Sequence, residues 1–406
     1  MNRTDLLEII AGGENSHVEF KRDGVQPAKL AAEMAALLNL EGGYVLLGVD
    51  DDGTVSGLTR SPSEAERWVM QAAKDNLQPA AIPVWQEIEW TPESRIGVIA
   101  LPVNAPDKPY KVRRGSSWVT KVRAGTTTRD ATREEEQRLY QQAGGLRYGL
   151  KPVTGSKLSD LDHRRLRDYF SRIRGDASCP DPDSTEWEQL LRNLELATVA
   201  TGATVTTIDG MLLFGTNTGR FLPQSGIRAV CYEGPEQDYA ARADEDIKGS
   251  LVPLGSSDGS ISETGVVDRA VDFVHRYTSV SAHLDGARRV DRRDYPTDAV
   301  REVVVNSLVH RDYSIEGTDV MMSIFSDRLE IQSPGRLPNT VTVAGMRSGV
   351  RYSRNQTLVN IMRDYGYVDA RGMGIRSKVI PSMAAHNGSE PELIEDDYRF
   401  TVRLWK

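Results

Sequence analysis

Residues 301–313, which read REVVVNSLVHRDY, place two polar side chains on an otherwise apolar helical pattern. Glu302 and Asn306 stand four residues apart, so at helical pitch they share one face. Valines at 303–305 fill the positions between them and favour a buried helix. Glu302 can polarise a water molecule, and Asn306 can offer an oxygen to a hard cation such as Mg²⁺. The pattern predicts either a nucleotide site that handles phosphate or a buried helix with two hydrogen-bonded polar residues.

The composition narrows the class of protein. At 406 residues the chain can form two or three domains, and 39% hydrophobic with 27% charged residues is ordinary for a globular protein. No apolar run approaches the roughly 18 residues of a membrane span, and the N-terminus has no signal-peptide pattern. Two cysteines, Cys179 and Cys231, exclude a disulfide framework and a four-cysteine zinc site. We therefore expect a cytoplasmic protein with no membrane partner.

Helical and strand patterns alternate along the chain and predict an α+β multidomain fold. In the N-terminal part, Pro27 opens a helix, residues 44–49 form a continuous apolar strand, and the sequence DDDG at 50–53 makes a turn. Gly144-Gly145 marks a first boundary, and a third part begins near Tyr295-Pro296. The predicted domains are 1–143, a mixed α/β connecting domain at 144–290, and 291–406.

Four elements of the later chain are predicted from short patterns. A helix at 160–174 takes Ser159 as its N-cap. Residues 211–214 and 227–232 are predicted as strands, and residues 398–405 as a closing strand.

Acidic side chains surround the first two predicted strands. Glu14 and Glu19 flank the first strand, and aspartates at 50–52 follow the second. Neighbouring strands can bring these groups together beside Lys21, where they would hold Mg²⁺ or Mn²⁺ and activate water against a phosphodiester. The alternative is structural, because DDDG is a common turn and Glu14 can cap a turn.

A basic ribbon stands out in a chain whose net charge is −8. Residues 105–123 carry six cations against one acid, Asp107, with Tyr110 and Trp118 between them. Such a ribbon offers charge and stacking surfaces to nucleic acid, although a solvated hairpin has the same pattern. The six cations are Lys108, Lys111, Arg113, Arg114, Lys121 and Arg123.

Two long motifs carry a family resemblance. ENSHVEFK at 14–21 and LEGGYVLLGVDD at 40–51 occur in the order found in the Schlafen core domain, also called AlbA_2 or divergent AAA-4, which residues 5–130 resemble. Nuclease members hold a metal with two glutamates of the first motif and an aspartate after the second. The resemblance implies these roles for Glu14, Glu19 and Asp51, with Asp50 or Asp52 as alternatives, and a nucleic-acid partner with RNA favoured over DNA.

The C-terminal part resembles a second family. Residues 295–378 are similar to the RecG-like C-terminal module, a divergent GHKL ATPase of the gyrase B, MutL and histidine-kinase class, which implies an α/β sandwich that binds ATP. The matching positions are Glu302 as general base, Asn306 as Mg²⁺ ligand, Gly335 in the first glycine box, and Gly372 with Gly374 in the second. Ser333-Pro334-Gly335 replaces the aspartate that reads adenine in ordinary GHKL enzymes, so the base specificity stays open.

Together the two resemblances imply a metal-dependent endoribonuclease controlled by a nucleotide-binding domain, with phage defence as a setting that the family suggests. The alternative is a non-cleaving DNA- or RNA-binding transcriptional regulator whose assembly depends on ATP. GHKL domains often act as dimers, so we expect a homodimer or a higher homo-oligomer.

Overall fold

The structure is a computed structural model. It describes residues 1–102, 105, 107–143, 147–176, 179–182, 184–256, 258–285, 288–337, 341–348, 353–368, 374–396 and 398–406, with backbone only at 142, 281–285 and 288–291. The chain divides into two compact units, Met1–Leu146 and Arg147–Lys406.

The first unit alternates helices and strands. Its helices are α1 (Arg3–Gly12), α2 (Pro27–Asn39), α3 (Pro62–Asn76) and α4 (Arg133–Gln142). Its strands are β1 (Val18–Lys21), β2 (Gly43–Leu47), β3 (Leu77–Gln78), β4 (Val84–Thr91), β5 (Ser94–Leu101), β6 (Lys111–Arg114), β7 (Ser117–Ala124) and β8 (Thr127–Asp130). Pro27 is the first residue of α2, as predicted, because its fixed φ suits that position.

Two sheets organise these strands. The first has the order β1-β2-β5-β4, in which β1 and β2 are parallel and the other pairs antiparallel. The second has the order β3-β6-β7-β8 and is antiparallel. Leu30, Met34 and Leu37 of α2 are fully buried in a core that also includes Val112 of β6. Helix α2 thereby fixes the two sheets in one unit.

The second unit begins with short helices and hairpins. Its helices are α5 (His163–Asp168), α6 (Thr185–Asn193), α7 (Ile208–Phe214), α8 (Thr218–Phe221), α9 (Val266–Tyr277), α10 (Thr297–Val309), α11 (Val343–Ser348), α12 (Gln356–Asp364) and α13 (Ile380–Asn387), with π-helical turns at Tyr169–Ile173 and Ile375–Val379 and 3₁₀ turns at Tyr148–Leu150 and Leu158–Asp160. Its strands are β9 (Ala197–Ala200), β10 (Ala203–Thr206), β11 (Ile227–Tyr232), β12 (Ala241–Ile247), β13 (Leu254–Gly255), β14 (Ile261–Glu263), β15 (Val280–Asp285), β16 (Arg288–Arg293), β17 (Val320–Ile324), β18 (Arg328–Pro334), β19 (Glu392–Glu395) and β20 (Arg399–Trp405).

A six-stranded sheet forms the centre of the second unit. Its order is β12-β11-β17-β18-β20-β19, with β11 and β17 parallel and the other neighbours antiparallel. Helices α9 and α10 bury their apolar faces in the same core as the strands. The boundary predicted near residue 290 falls between strands of this one sheet, and the division into three domains stays a prediction. The α+β class with several sheets is confirmed, whereas the GHKL-like sandwich stays a prediction.

Two local predictions in the second unit are wrong. Residues 211–214 belong to helix α7, not to a strand, because Thr207 caps the helix by accepting a hydrogen bond from the Gly210 N–H at 3.1 Å. A short apolar run fits a buried helix as well as a strand. The helix predicted at 160–174 starts at His163 with Asp162 as its N-cap, not Ser159, and it changes to a π-helical turn at Tyr169. Strand β11 is confirmed with the predicted bounds, and β20 begins one residue after the predicted start.

Candidate nucleotide site and nucleic-acid interface

Helix α10 brings Glu302 and Asn306 together, and its valines explain why. Val303, Val304 and Val305 are buried and hold the helix against the sheet. Asn306 Nδ2 then lies 3.2 Å from Glu302 Oε1 and donates a hydrogen bond to it. Because the amide nitrogen faces Glu302, the amide oxygen Oδ1 is left to face another ligand. The shared face expected from the four-residue spacing is therefore present.

Gly374 of the predicted second glycine box lies directly against Glu302. A Cβ atom at this position would stand 1.6 Å from Glu302 Oε1, which no side chain can satisfy. The glycine thus lets the backbone reach the carboxylate. Gly372, predicted for the same box, lies outside the described residues. The structure joins Glu302, Asn306 and Gly374 although about seventy residues separate the two segments.

Gly335 of the predicted first glycine box takes a left-handed backbone conformation at the end of β18, with φ +103°. A Cβ there would stand 2.5 Å from Asp312 Cβ and 3.0 Å from Arg354 Nη1. Its neighbour Ser333 is buried and donates its hydroxyl to the Ser307 carbonyl at 2.7 Å. The first box therefore packs on the end of α10, and the Ser333 hydroxyl is already engaged.

The HRDY segment after α10 is held by hydrogen bonds to backbone carbonyls. Arg311 is fully buried and donates to the carbonyls of Asp312, Ile315 and Thr318 at 2.6–2.9 Å. Asn355 Nδ2 donates to the Arg311 carbonyl at 2.9 Å. Burial, the largest effect, lowers the pKa of Arg311. Arg311 therefore has a structural role, because its guanidinium donates hydrogen bonds to backbone carbonyls of the turn that follows α10.

His310 differs from its neighbour. Burial, helped by the charge of Arg354, lowers the pKa of His310 to about 4, so the imidazole is neutral at physiological pH. Its Nδ1 has no hydrogen-bond partner within the described part of the chain. Arg354 Nη1 donates to the His310 carbonyl at 3.0 Å and so links the segment before α12 to the end of α10.

In the first unit, Glu14 and Glu19 have different partners at strand β1. Glu14 Oε1 accepts a hydrogen bond from the Phe20 N–H at 2.9 Å. Glu19 is buried, forms an ion pair with Lys21, and lies 2.6 Å from Arg123 Nη2 through Oε2. Burial lowers the pKa of Lys21, but the hydrogen bond and charge of Glu19, with smaller contributions from other acids, raise it overall. Both oxygens of Glu19 thus face cationic side chains.

The aspartates at 50–52 lie on the turn after β2, as predicted. Asp50 pairs with Arg22 at 2.8 Å and accepts from Ser56 Oγ at 2.9 Å. Asp51 is exposed. Across the ranges described above, no hydrogen bond or ion pair links this turn to Glu14 or Glu19, and no group of three or more His, Cys, Asp or Glu side chains is arranged to hold a metal. Ligation of a metal by Glu14, Glu19 and Asp51 therefore stays a prediction.

The six cations of the basic ribbon lie in different environments. Lys108 is buried and donates to the Leu40 carbonyl, and Arg123 is buried between Glu19 and the carbonyls of Asn15 and Val18. Strands β6 and β7 form the predicted hairpin, with Arg113 opposite Trp118. Both of these side chains are exposed. Lys108 and Arg123 therefore stabilise the fold and are not placed to bind phosphates.

Acidic residues that the sequence interpretation left out form ion pairs with three of the four remaining cations of the ribbon. Asp130 of β8 pairs with Arg114 at 2.8 Å and with Lys121 at 2.6 Å. Glu136 of α4 pairs with Lys111 at 2.7 Å. The run of three glutamates at 134–136 was the available sign, since such a run beside a basic hairpin invites ion pairs. Arg113 and Trp118 form the open part of the ribbon.

Fold and site together define an α+β protein whose second unit holds a buried carboxylate, hydrogen-bonded to a partly buried amide, against a glycine. Residues 14–132 match the family model "Schlafen, AlbA_2", and residues 317–404 match the model "Putative ATP-dependent DNA helicase recG C-terminal". The chain thus carries a Schlafen AlbA_2 domain followed by a RecG C-terminal domain, and both resemblances are confirmed. Gly335 and Gly374 lie inside the second match, whereas Glu302 and Asn306 precede it.

Two solved structures are similar to the chain. The DIP2311 protein of Corynebacterium diphtheriae is 19% identical, with a TM-score of 0.46 over 99% of this chain and 79% of that one. The N-terminal domain of a RecG-related protein from Nitrosomonas europaea is 24% identical, with a TM-score of 0.26 over 33% of this chain and 93% of that one. None of the curated proteins compared with the chain matches it. Among the described residues, no helix has the length and apolar character needed to cross a membrane.

Proposed function

We propose that this chain is a nucleic-acid-binding protein controlled by ATP, in which the second unit binds the nucleotide and the first unit binds RNA or DNA without cleaving it. The two domain families support this assignment, because the description of the second one names the C-terminal part of an ATP-dependent DNA helicase. A homodimer that assembles with ATP is part of the proposal, in which the protein acts as a regulator.

The observation that carries the nucleotide site is the contact of Glu302 with Gly374. Gly374 lets the backbone of the second glycine box come close to the Glu302 carboxylate, and backbone N–H groups near a helix start favour anions. Asn306 Oδ1 is available to the Mg²⁺ ion that accompanies a nucleotide. Such an ion neutralises phosphate charge, while Glu302 can accept a proton from water.

The nucleic-acid assignment rests on the first unit. Arg113 and Trp118 are opposite each other across the β6–β7 hairpin, so a phosphate and a base can contact neighbouring side chains. The ion pairs of Glu19 with Lys21 and Arg123 favour binding over cleavage, because a metal would have to replace two cations. These ion pairs support the non-cleaving function over the nuclease function predicted from the sequence.

The nucleotide site is tested by titration calorimetry with ATP and Mg²⁺. The wild-type protein is expected to bind, and Asn306→Ala is expected to weaken binding about tenfold through loss of one ligand to the cation. Asn360→Ala is the matched control, because Asn360 is an exposed amide on α12 that accepts a hydrogen bond from Gln356. Equal ATP affinity in the wild type and Asn306→Ala would remove the role of Asn306, and no binding by the wild type would refute the nucleotide site.

Control by the nucleotide is tested by fluorescence anisotropy with labelled single-stranded RNA and DNA, with and without ATP. We expect binding that depends on Arg113 and changes when ATP is added, together with a change of mass in light scattering. Identical affinities with and without ATP would contradict control. Loss of binding in Arg113→Ala, with an unchanged melting temperature, would support the proposal that the basic ribbon binds nucleic acid.

Metal-dependent endoribonuclease activity is the second candidate, favoured by the hydrogen bond that holds Glu14 to Phe20 on the strand that also carries Glu19. Structured RNA and single-stranded DNA are incubated with Mn²⁺ and the wild type, Glu19→Gln or the control Glu8→Gln. Fragments that appear with the wild type and Glu8→Gln, but not with Glu19→Gln, would establish cleavage and replace the non-cleaving proposal. Phage defence is a setting for either activity.

A further inference from the structure

A lysine on the π-helical turn after Gly374 reaches the candidate nucleotide site. Lys378 Nζ lies 3.6 Å from Glu302 Oε2. The Glu302 side chain is 6% exposed, whereas that of Lys378 is 35% exposed. The lysine therefore extends from the solvent side over a buried carboxylate.

We propose that Lys378 binds the terminal phosphate of the nucleotide and makes the site prefer a nucleoside triphosphate to a diphosphate. This inference rests on the proposed nucleotide site and adds a residue that selects its ligand. Lys378 follows Gly374 by four residues, so both lie on the same side of the turn that faces Glu302. A lysine ammonium is a compact point charge that suits phosphate.

The local backbone supports a ligand-binding role. Residues Ile375–Val379 form a π-helical turn, closed by a hydrogen bond from the Ile380 N–H to the Ile375 carbonyl. Such turns interrupt the regular helix and are frequent at functional sites. Here the turn places Lys378 over the Glu302 carboxylate of α10. On a regular α-helix the side chain at this position would point in a different direction.

The contact with Glu302 is weak enough to be exchanged. The Lys378 Nζ to Glu302 Oε2 distance of 3.6 Å is longer than a charge-assisted hydrogen bond, and the lysine side chain is partly exposed. A terminal phosphate carries more negative charge than one carboxylate, so it competes for the same ammonium. When Lys378 turns to the phosphate, Glu302 loses part of its neutralisation and can accept a proton from a nearby water.

Arg376 provides the matched control on the same turn. Its Nη1 donates to the Ser348 carbonyl at 2.8 Å, away from Glu302. Arg376 and Lys378 thus have the same charge and nearly the same position in the chain, but only Lys378 contacts the acid. A general loss of positive charge would affect both variants alike, whereas a specific contact with the terminal phosphate would affect one.

The experiment compares ATP and ADP affinities by calorimetry for the wild type, Lys378→Met, Lys378→Arg and Arg376→Met, with melting temperatures for each. We expect Lys378→Met to weaken ATP binding about 10- to 100-fold, the usual range for a hydrogen bond to a charged group, and to leave ADP binding within about threefold. Lys378→Arg keeps the charge and should retain a preference for ATP, and Arg376→Met should match the wild type.

The outcomes separate this inference from the proposed function. If the wild type binds ATP and Lys378→Met lowers ATP and ADP affinity equally, or lowers neither, Lys378 does not select the terminal phosphate although the site exists. If Lys378→Met fails to fold, an ATP-to-ADP ratio near one in Lys378→Arg overturns the inference, since that variant retains the charge. If the wild type binds neither nucleotide, both proposals fail together.

Discussion

Asp209 is a carboxyl group buried in the core of the second unit. It is 1% exposed, and a Cβ at Gly149 would stand 2.2 Å from its Oδ1. Oδ1 accepts no hydrogen bond from any described residue. Burial raises the pKa of Asp209 to about 7, with the charge of Arg147 opposing the shift and that of Glu195 adding to it. The group is therefore protonated in the folded protein below that pH.

This carboxyl makes stability fall as pH rises. The unfolded chain ionises Asp209 near pH 4, and the folded chain only near 7, so the folded state binds more protons between these values. Destabilisation grows across that window and is complete above pH 7. Asp209→Asn should stabilise the protein at pH 8 by up to about 4 kcal/mol and by much less at pH 4, since each pKa unit corresponds to ~1.4 kcal/mol.

Urea unfolding of the full chain from pH 4 to 8, followed by tryptophan fluorescence, measures this difference. Glu236→Gln is the control, because Glu236 is exposed. A difference between Asp209→Asn and the wild type that does not grow with pH would show that Asp209 is charged, or paired, in the folded state.

At the residue scale, the sequence predicts neighbours within an element better than partners across the fold. Glu302 and Asn306 are one helical turn apart, so their spacing alone predicts the shared face. Arg123 and Lys378 approach Glu19 and Glu302 from segments distant in the chain, and no local pattern encodes those contacts. The resemblance to known families bridged part of this gap, because it linked Gly374 to Glu302 through an ordered set of motifs.

At the element scale, helix α4 covers one face of the basic ribbon. Glu135 pairs with Arg129 at 2.7 Å, and Glu136 pairs with Lys111 and accepts from Thr120 Oγ1 at 2.6 Å. The hydrogen bond from Arg129 lowers the pKa of Glu135 to about 2, so this helix stays anionic at physiological pH. Carboxylates of α4 thus form ion pairs with cations that a nucleic acid would need for contacts to its phosphates.

Removing these charges should open the ribbon. Glu135→Gln with Glu136→Gln is expected to raise affinity for single-stranded RNA about three- to tenfold, because each freed cation can contact a phosphate. Glutamine can still complete the capping box with Thr132, so the helix start is retained. Fluorescence anisotropy measures the change.

Glu134→Gln serves as the control on the same helix, since Glu134 is exposed and next to the two paired glutamates. An equal gain in this variant would attribute the effect to net charge. No gain in the double variant would mean that Lys111 and Arg129 do not contact RNA.

Element predictions succeeded where two independent patterns agreed. Pro27, the apolar spacing after it and the glycines at 42–43 jointly predicted α2, and the helix is confirmed. Residues 211–214 offered only a short apolar run, and the hydroxyl of Thr207 decided for a helix. An apolar run of only four residues does not show whether the segment is a buried helix or a buried strand.

At the scale of the whole molecule, a net charge of −8 opposes binding to a polyanion. Because ion pairs engage most ribbon cations, binding to single-stranded RNA should involve about one to three phosphate contacts and give a shallow salt dependence, with a slope of roughly −0.7 to −2 in log affinity against log salt concentration. Anisotropy titrations between low and high NaCl concentration measure the slope. A slope steeper than about −4 would indicate that the ribbon cations exchange their acids for phosphates.

Strand β20 lies between β18 and β19 and forms hydrogen bonds with both. During synthesis, β18 leaves the ribosome well before residues 399–405, so its edge has no partner while the following helices are being made. The sheet closes late, by contacts between segments distant in sequence, and such closure is slow. A nascent chain of this protein therefore exposes an unpaired strand edge while residues between β18 and β20 are being translated.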